Sequence, residues 1–170
     1  MKNGAIRMLC GIAMAAAVSG LIAVEAIGQI RRQAPAEVKI PIQVSLKIGG
    51  QAFESSAAGK CTHAPKASIY NVVSELRSVD LSADGRSTNL TWWHPLDGSA
   101  DMVNLSVTGG SGSHNVSTVK GGQPVGSGTV RFEKSGSGGI FTVDAKTAKN
   151  VAISGTIKCD SFAPHIAEGG

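Results

Sequence analysis

Residues 38–48 alternate without a break. Val38, Ile40, Ile42, Val44, Leu46 and Ile48 are apolar, and Lys39, Pro41, Gln43, Ser45 and Lys47 stand between them. An apolar period of two puts every branched side chain on one face of an extended strand, which a helix cannot do. Gly49-Gly50 ends the run. Pro41 has no N–H for a ladder, so the strand is expected at a sheet edge, or bent there.

The same pattern recurs in shorter pieces. Alternating runs fall at Ala67 to Val72, Leu76 to Leu81, Asn89 to Trp93, Met102 to Val107, Asn115 to Val119, Gly128 to Phe132, Ile140 to Asp144 and Val151 to Lys158. Turn-forming clusters separate them: Ala83 to Arg86, Pro95 to Gly98, Thr108 to Ser113, Gly121 to Pro124 and Ser135 to Gly139. Beyond the N-terminal segment no stretch sustains a 3.6-residue apolar period, and Val72 to Leu76 could form one helical turn at most. The expected fold is all-β: an antiparallel β-sandwich, or a partly closed barrel, of about eight to ten short strands.

The N-terminus reads differently. Lys2 and Arg7 precede an uncharged apolar stretch from Met8 to Val24, with small residues at Ala26 and Gly28 suited to cleavage. This is the layout of a secretory signal, expected over residues 1–26, with an uncleaved membrane anchor as the alternative. Glu25 after Gly20 imitates a prepilin site, but Arg31-Arg32 interrupts the apolar helix a pilin needs. Cys10 precedes the apolar run, the wrong side for lipid attachment. Residues 27–37 read as a linker, 38–162 as the β domain, and 163–170 as a disordered tail, with fraying expected from Asp160.

Export leaves Cys61 and Cys159 as the two thiols of the mature chain, and in an oxidising compartment they have one intramolecular pairing. Cys61 is read as following the second strand and Cys159 as ending the last, so these segments should meet in space. A closed loop of roughly 100 residues would stabilise the fold by about 4–5 kcal/mol. The expected location is secreted, periplasmic or cell-envelope.

Charge narrows the partners. The chain has 16 Lys and Arg against 12 Asp and Glu, a formal balance of +4 without a basic cluster in the domain. That is ordinary solubility charge and not a nucleic-acid footprint. Membrane contact is expected only through an uncleaved signal. The remaining partners are an unidentified protein, a glycan or a small lipid-like ligand.

Trp92-Trp93-His94 is the one aromatic cluster. Alternation with Leu90 sends Trp92 to the core face and Trp93 to the other, where it could stack on a sugar or a partner, or pack under a loop. Trp93, His94, Asp97 and Asp101 are therefore the candidate ligand-binding residues. Asp97 to Asp101 resembles half a calcium loop without its remaining ligands. His63, His94, His114 and His165 have no local metal-ligand spacing, although the disulfide could draw His63 toward His165. No serine stands in a G-x-S-x-G elbow, and the glycine runs lack a phosphate-loop lysine and helix. No catalytic residue, metal or cofactor is assigned. Asn89, Asn104 and Asn115 open N-x-S/T triplets, which matter only in a glycosylating host.

Ile48-Gly49-Gly50, with Cys61 eleven residues later, and the run Ile153 to Cys159 resemble the two ends of the mycobacterial 19-kDa lipoprotein antigen family. The resemblance implies a small extracytoplasmic β-sandwich, closed by a disulfide, in a surface-antigen or ligand-carrying role. It transfers no catalytic residue. The chain departs from the family in having no lipid-attachment cysteine at the cleavage site and in carrying Trp92-Trp93.

Three functions follow as expectations. The first is a non-catalytic binding or envelope-surface protein. The second is a small hydrolase or metal-dependent enzyme whose His and Asp residues meet only in the fold. The third is a structural or inhibitory protein that pairs with a partner through an edge strand such as Val38 to Ile48.

Overall fold

The computed structural model describes residues 38–110 and 112–166. The expected signal over residues 1–26, the expected linker over 27–37 and the last four residues of the expected tail lie outside them. Among the described residues there are ten strands and no helix: β1 Ile40–Ile48, β2 Gln51–Ile69, β3 Val72–Ala83, β4 Arg86–Pro95, β5 Met102–Gly109, β6 Gly112–Ser117, β7 Ser127–Ser135, β8 Gly138–Lys146, β9 Ala152–Cys159 and β10 Ala163–Pro164. The order across the sheet is β6-β5-β4-β3-β2-β1-β9-β8-β7, antiparallel throughout, and β10 lies parallel to β2. The outer strands approach each other, and Ser117 and Val125 exchange backbone hydrogen bonds across the gap. The result is an antiparallel sheet nearly closed into a barrel.

The alternation of β1 is realised in full, with Ile40, Ile42, Val44, Leu46 and Ile48 all buried. Its position corrects the expectation of an edge, since β1 pairs with β2 on one side and β9 on the other. Pro41 is tolerated there for a local reason. In an antiparallel strand the N–H and C=O of one residue point the same way. The Pro41 carbonyl accepts from the Asp160 amide, just past the end of β9, so the missing N–H faces the point where that ladder stops. The free edges belong to β6 and β7.

β2 serves two neighbours. Residues 51–59 pair with β1, and Lys60 to Ile69 pair with β3. The changeover falls at Gly59, where a Cβ would lie 2.5 Å from the Asp80 carbonyl oxygen and 2.8 Å from Ile42 Cδ1. Only a residue without a side chain lets the strand turn that corner so close to β3. A bulge between Ala64 and Ala67 absorbs Pro65, which could not serve a regular ladder.

Two further sequence readings are corrected here. Ala67 to Val72 is not one strand, because Tyr70 and Asn71 take φ values of 46° and 64° and turn the chain from β2 into β3. Two consecutive left-handed residues match the twist of a tight hairpin. Val72 to Leu76 is strand, not a helical turn.

Cys61 in β2 and Cys159 at the end of β9 form the disulfide, with Cα atoms 6.3 Å apart and both residues buried. The bond joins the two strands that flank β1. The main core gathers Ile42, Leu46, Leu81, Leu90, Leu105, Phe141, Ile153 and Ile157. The C-terminal segment is not frayed from Asp160. Phe162 packs edge-on against Phe132 and Phe141, and the His165 amide donates to the His63 carbonyl at 2.9 Å.

Candidate functional site

Along β3 the core-facing positions run Leu81, Val79, Arg77, Glu75, and along β4 they run Leu90, Trp92, His94. The inward face thus changes from aliphatic to charged as it nears one end of the barrel. Register puts Arg77 opposite both Trp92 and His63, and Glu75 opposite His94. Phe132 arrives from β7, Phe141 from β8 and Phe162 from the segment after β9, forming an aromatic floor with Trp92.

Arg77 is only 9% exposed. Its guanidinium lies 3.9 Å from the Phe132 ring centroid, and the rings of Trp92 and Phe162 are also near. One terminal nitrogen donates to Glu75 Oε1 at 2.5 Å, and His63 Nε2–H donates to the same oxygen at 2.7 Å. The buried Nε of Arg77 has no hydrogen-bond partner among the described residues. Partial burial pushes the Glu75 carboxyl up, but the hydrogen bonds and charges of Arg77 and His63 outweigh it, and the net shift is downward.

A second pair sits beside the first. His94 Nδ1–H donates to Asp101 Oδ1 at 2.8 Å. Asp101 Oδ2 accepts from Trp92 Nε1–H at 3.1 Å, and that indole N–H is shared with the Val130 carbonyl at 3.2 Å. The His94 imidazole stacks on the Trp92 ring, with centroids 5.5 Å apart and planes 10° from parallel. A buried indole thus fixes the carboxylate, and the carboxylate fixes a half-exposed imidazole whose Nε2 has no partner among the described residues. These groups and Arg131 line a cleft of about 380 Å³. An adjoining hollow shares Asp101 and Arg131 and adds Thr118, Lys120 and Thr129. Another groove, of about 480 Å³ between β6 and the turn after β8, brings only His114 and Lys149 as ionisable groups. The smaller cleft therefore gathers more ionisable groups than this groove does.

The four candidates from the sequence separate. His94 and Asp101 share the cleft. Trp93 lies on the opposite face of β4, half-buried, in the cross-strand row Ala64, Leu76, Trp93, Met102. Ala64 and Met102 are buried yet stand outside the main core, so this row forms a small apolar layer of its own. Asp97 is exposed on the loop, where the Ser99 amide donates to its carboxylate at 2.9 Å and lowers its pKa. Asp97 and Asp101 thus have separate partners rather than forming a calcium half-site. Among the described residues no three His, Cys, Asp or Glu side chains gather where they could hold a metal ion. His63 and His165 meet through a backbone hydrogen bond, and the His63 ring turns to Glu75.

Sequence reasoning missed His63 as a partner of Glu75, and it missed Glu75, Arg77, Arg131 and Phe132 altogether. One local signal existed: Glu75 and Arg77 occupy the parity that Val79 and Leu81 continue into the core. A charged residue at a core-facing position needs a partner or a function.

Fold and cleft define a disulfide-linked, nearly closed antiparallel β-barrel with a charged, aromatic-floored cleft toward one end. No protein-family model, curated protein or solved structure matches the chain.

Proposed function

We propose that this chain is an exported, non-catalytic binding protein whose ligand is held in the cleft between β3, β4 and β7. The observation that supports this most is the fixed His94–Asp101–Trp92 chain beside Arg77. Polar groups oriented before any ligand arrives lower the entropy lost on binding, and a few convergent polar groups over an aromatic floor are the usual make-up of a small-molecule site. The buried disulfide fits an oxidising, extracytoplasmic setting. The resemblance to the 19-kDa antigen family agrees with a ligand-carrying role at a cell surface.

Chemical-shift mapping of the ¹⁵N-labelled protein against a fragment mixture tests the reading. Shifts concentrated at Glu75, Arg77, His94, Asp101 and Arg131 are expected. Shifts confined to the Trp93 face, or none, would refute it.

A second reading has one observation in its favour. An imidazole held at Nδ1 by a carboxylate, with Nε2 open, is the geometry of a general base. Hydrolysis of a 4-nitrophenyl ester by the protein, lost in His94→Ala, would support that reading. Equal rates for both proteins would dismiss it.

A further inference from the structure

We propose that the ligand of this cleft carries an oxyanion group, a carboxylate or a phosphate, and that Arg131 is its principal anchor. This rests on the reading of the cleft as a ligand site and adds the class of ligand. It follows from which hydrogen-bonding groups are already engaged. Glu75 Oε1 receives both Arg77 and His63, and the two Asp101 oxygens receive His94 and Trp92. Each cleft carboxylate is therefore committed to a protein donor.

The arginines are less well matched. Arg131 is exposed on β7, borders both the cleft and the adjoining hollow, and makes no hydrogen bond or ion pair among the described residues, so its five N–H donors have no protein acceptor. Arg77 Nε, deeper and buried, also has no acceptor among the described residues. Lys120 adds a further cation to the hollow that shares Arg131. A site with donors to spare is complemented by a ligand that brings acceptors, and a planar guanidinium fork suits a carboxylate or phosphate best.

The position of Arg131 agrees with an anchoring role. It stands on β7, an edge strand of the sheet, next to Phe132 of the aromatic floor, and is exposed where Arg77 is buried. Its side chain contributes nothing to the core, which separates its effect on binding from its effect on folding.

The experiment is an NMR titration of the full protein with D-glucuronate, D-glucose 6-phosphate and D-glucose, repeated for Arg131→Gln and Arg131→Lys. At least one anion should give saturable shifts at His94, Asp101 and Arg131, with D-glucose weaker by about tenfold or more. Which anion binds identifies carboxylate or phosphate as the source. Arg131→Gln should lower the affinity for that anion by about tenfold at an unchanged melting temperature, and Arg131→Lys should recover part of it. Equal binding of D-glucose, or undiminished anion binding by Arg131→Gln, would overturn the proposal. If fragments map to the cleft but neither anion does, the oxyanion assignment fails and the cleft reading survives. If nothing maps to the cleft, both fail.

Discussion

Replacing both disulfide cysteines, Cys61→Ala with Cys159→Ala, tests how this barrel is held together. The bond spans a sequence separation of 98 residues. In the chain-entropy model a loop of that size removes about 16 cal/mol/K from the unfolded ensemble, or about 4.7 kcal/mol at 25 °C. Both sulfurs are buried, and deleting them leaves small voids worth about 1 kcal/mol each at most. The double variant should therefore lose about 5–6 kcal/mol, a large share of the roughly 5–15 kcal/mol typical of a domain. Urea unfolding followed by tryptophan fluorescence is the assay, because Trp92 is buried against Phe132 and Phe141. The denaturant slope should rise in the variant, since an unfolded chain without the cross-link exposes more surface. Reduced wild-type protein should reproduce the variant. A loss under about 2 kcal/mol would show that the strand ladders alone hold β2 and β9 around β1, and the argument from loop closure would fail.

Three further outcomes follow from the geometry. The Glu75 carboxyl binds its proton less readily folded than unfolded, so it stabilises the fold above its ordinary pKa of 4.5, and that share is lost as pH falls through the lower folded value. Acid titration of stability should show this loss in wild type and a flatter curve in Glu75→Gln. Gly59→Ala should cost about 1–3 kcal/mol in urea unfolding, because the new methyl group meets the Asp80 carbonyl and Ile42. Trp93→Ala should lower the melting temperature by removing the centre of the row Leu76, Trp93, Met102, yet leave anion titrations of the cleft unchanged; lost binding at normal stability would return Trp93 to the ligand site.

Much of the strand pattern is legible from residue order, because burial on one face of β1 imposes period two and Gly49-Gly50 marks its turn. The limits have physical causes. The first half of β2 runs through Ser55, Ser56, Ala57 and Ala58, residues too small to print an apolar period, so a 19-residue strand left little trace. The Tyr70-Asn71 turn carries no glycine. Pro41 suggested an edge because a missing N–H is tolerated there, but it is tolerated equally where a neighbouring strand ends. His94 and Asp101 could be singled out by type, whereas their pairing could not. His63, Glu75 and Arg77 meet through the β2–β3 register, and Arg131 comes from a strand much further along the chain. That convergence depends on cross-strand pairing, which local sequence does not encode.

The central place of β1 also bears on how the chain reaches its fold. One side of its ladder is completed at once by β2 across a two-residue turn, but the other waits for β9, with Ile42 opposite Cys159 and Ile48 opposite Ile153. Pairing between the first strand and the ninth is slow, because a long loop must close before any contact rewards it. Until then β1 is a flat apolar strand with one open side, the kind of template on which nascent chains stick to one another. A truncation before Ile153 would make that state permanent and should yield aggregates rather than a smaller domain. A chain carried across a membrane as an extended polymer, and released only when whole, would avoid the hazard.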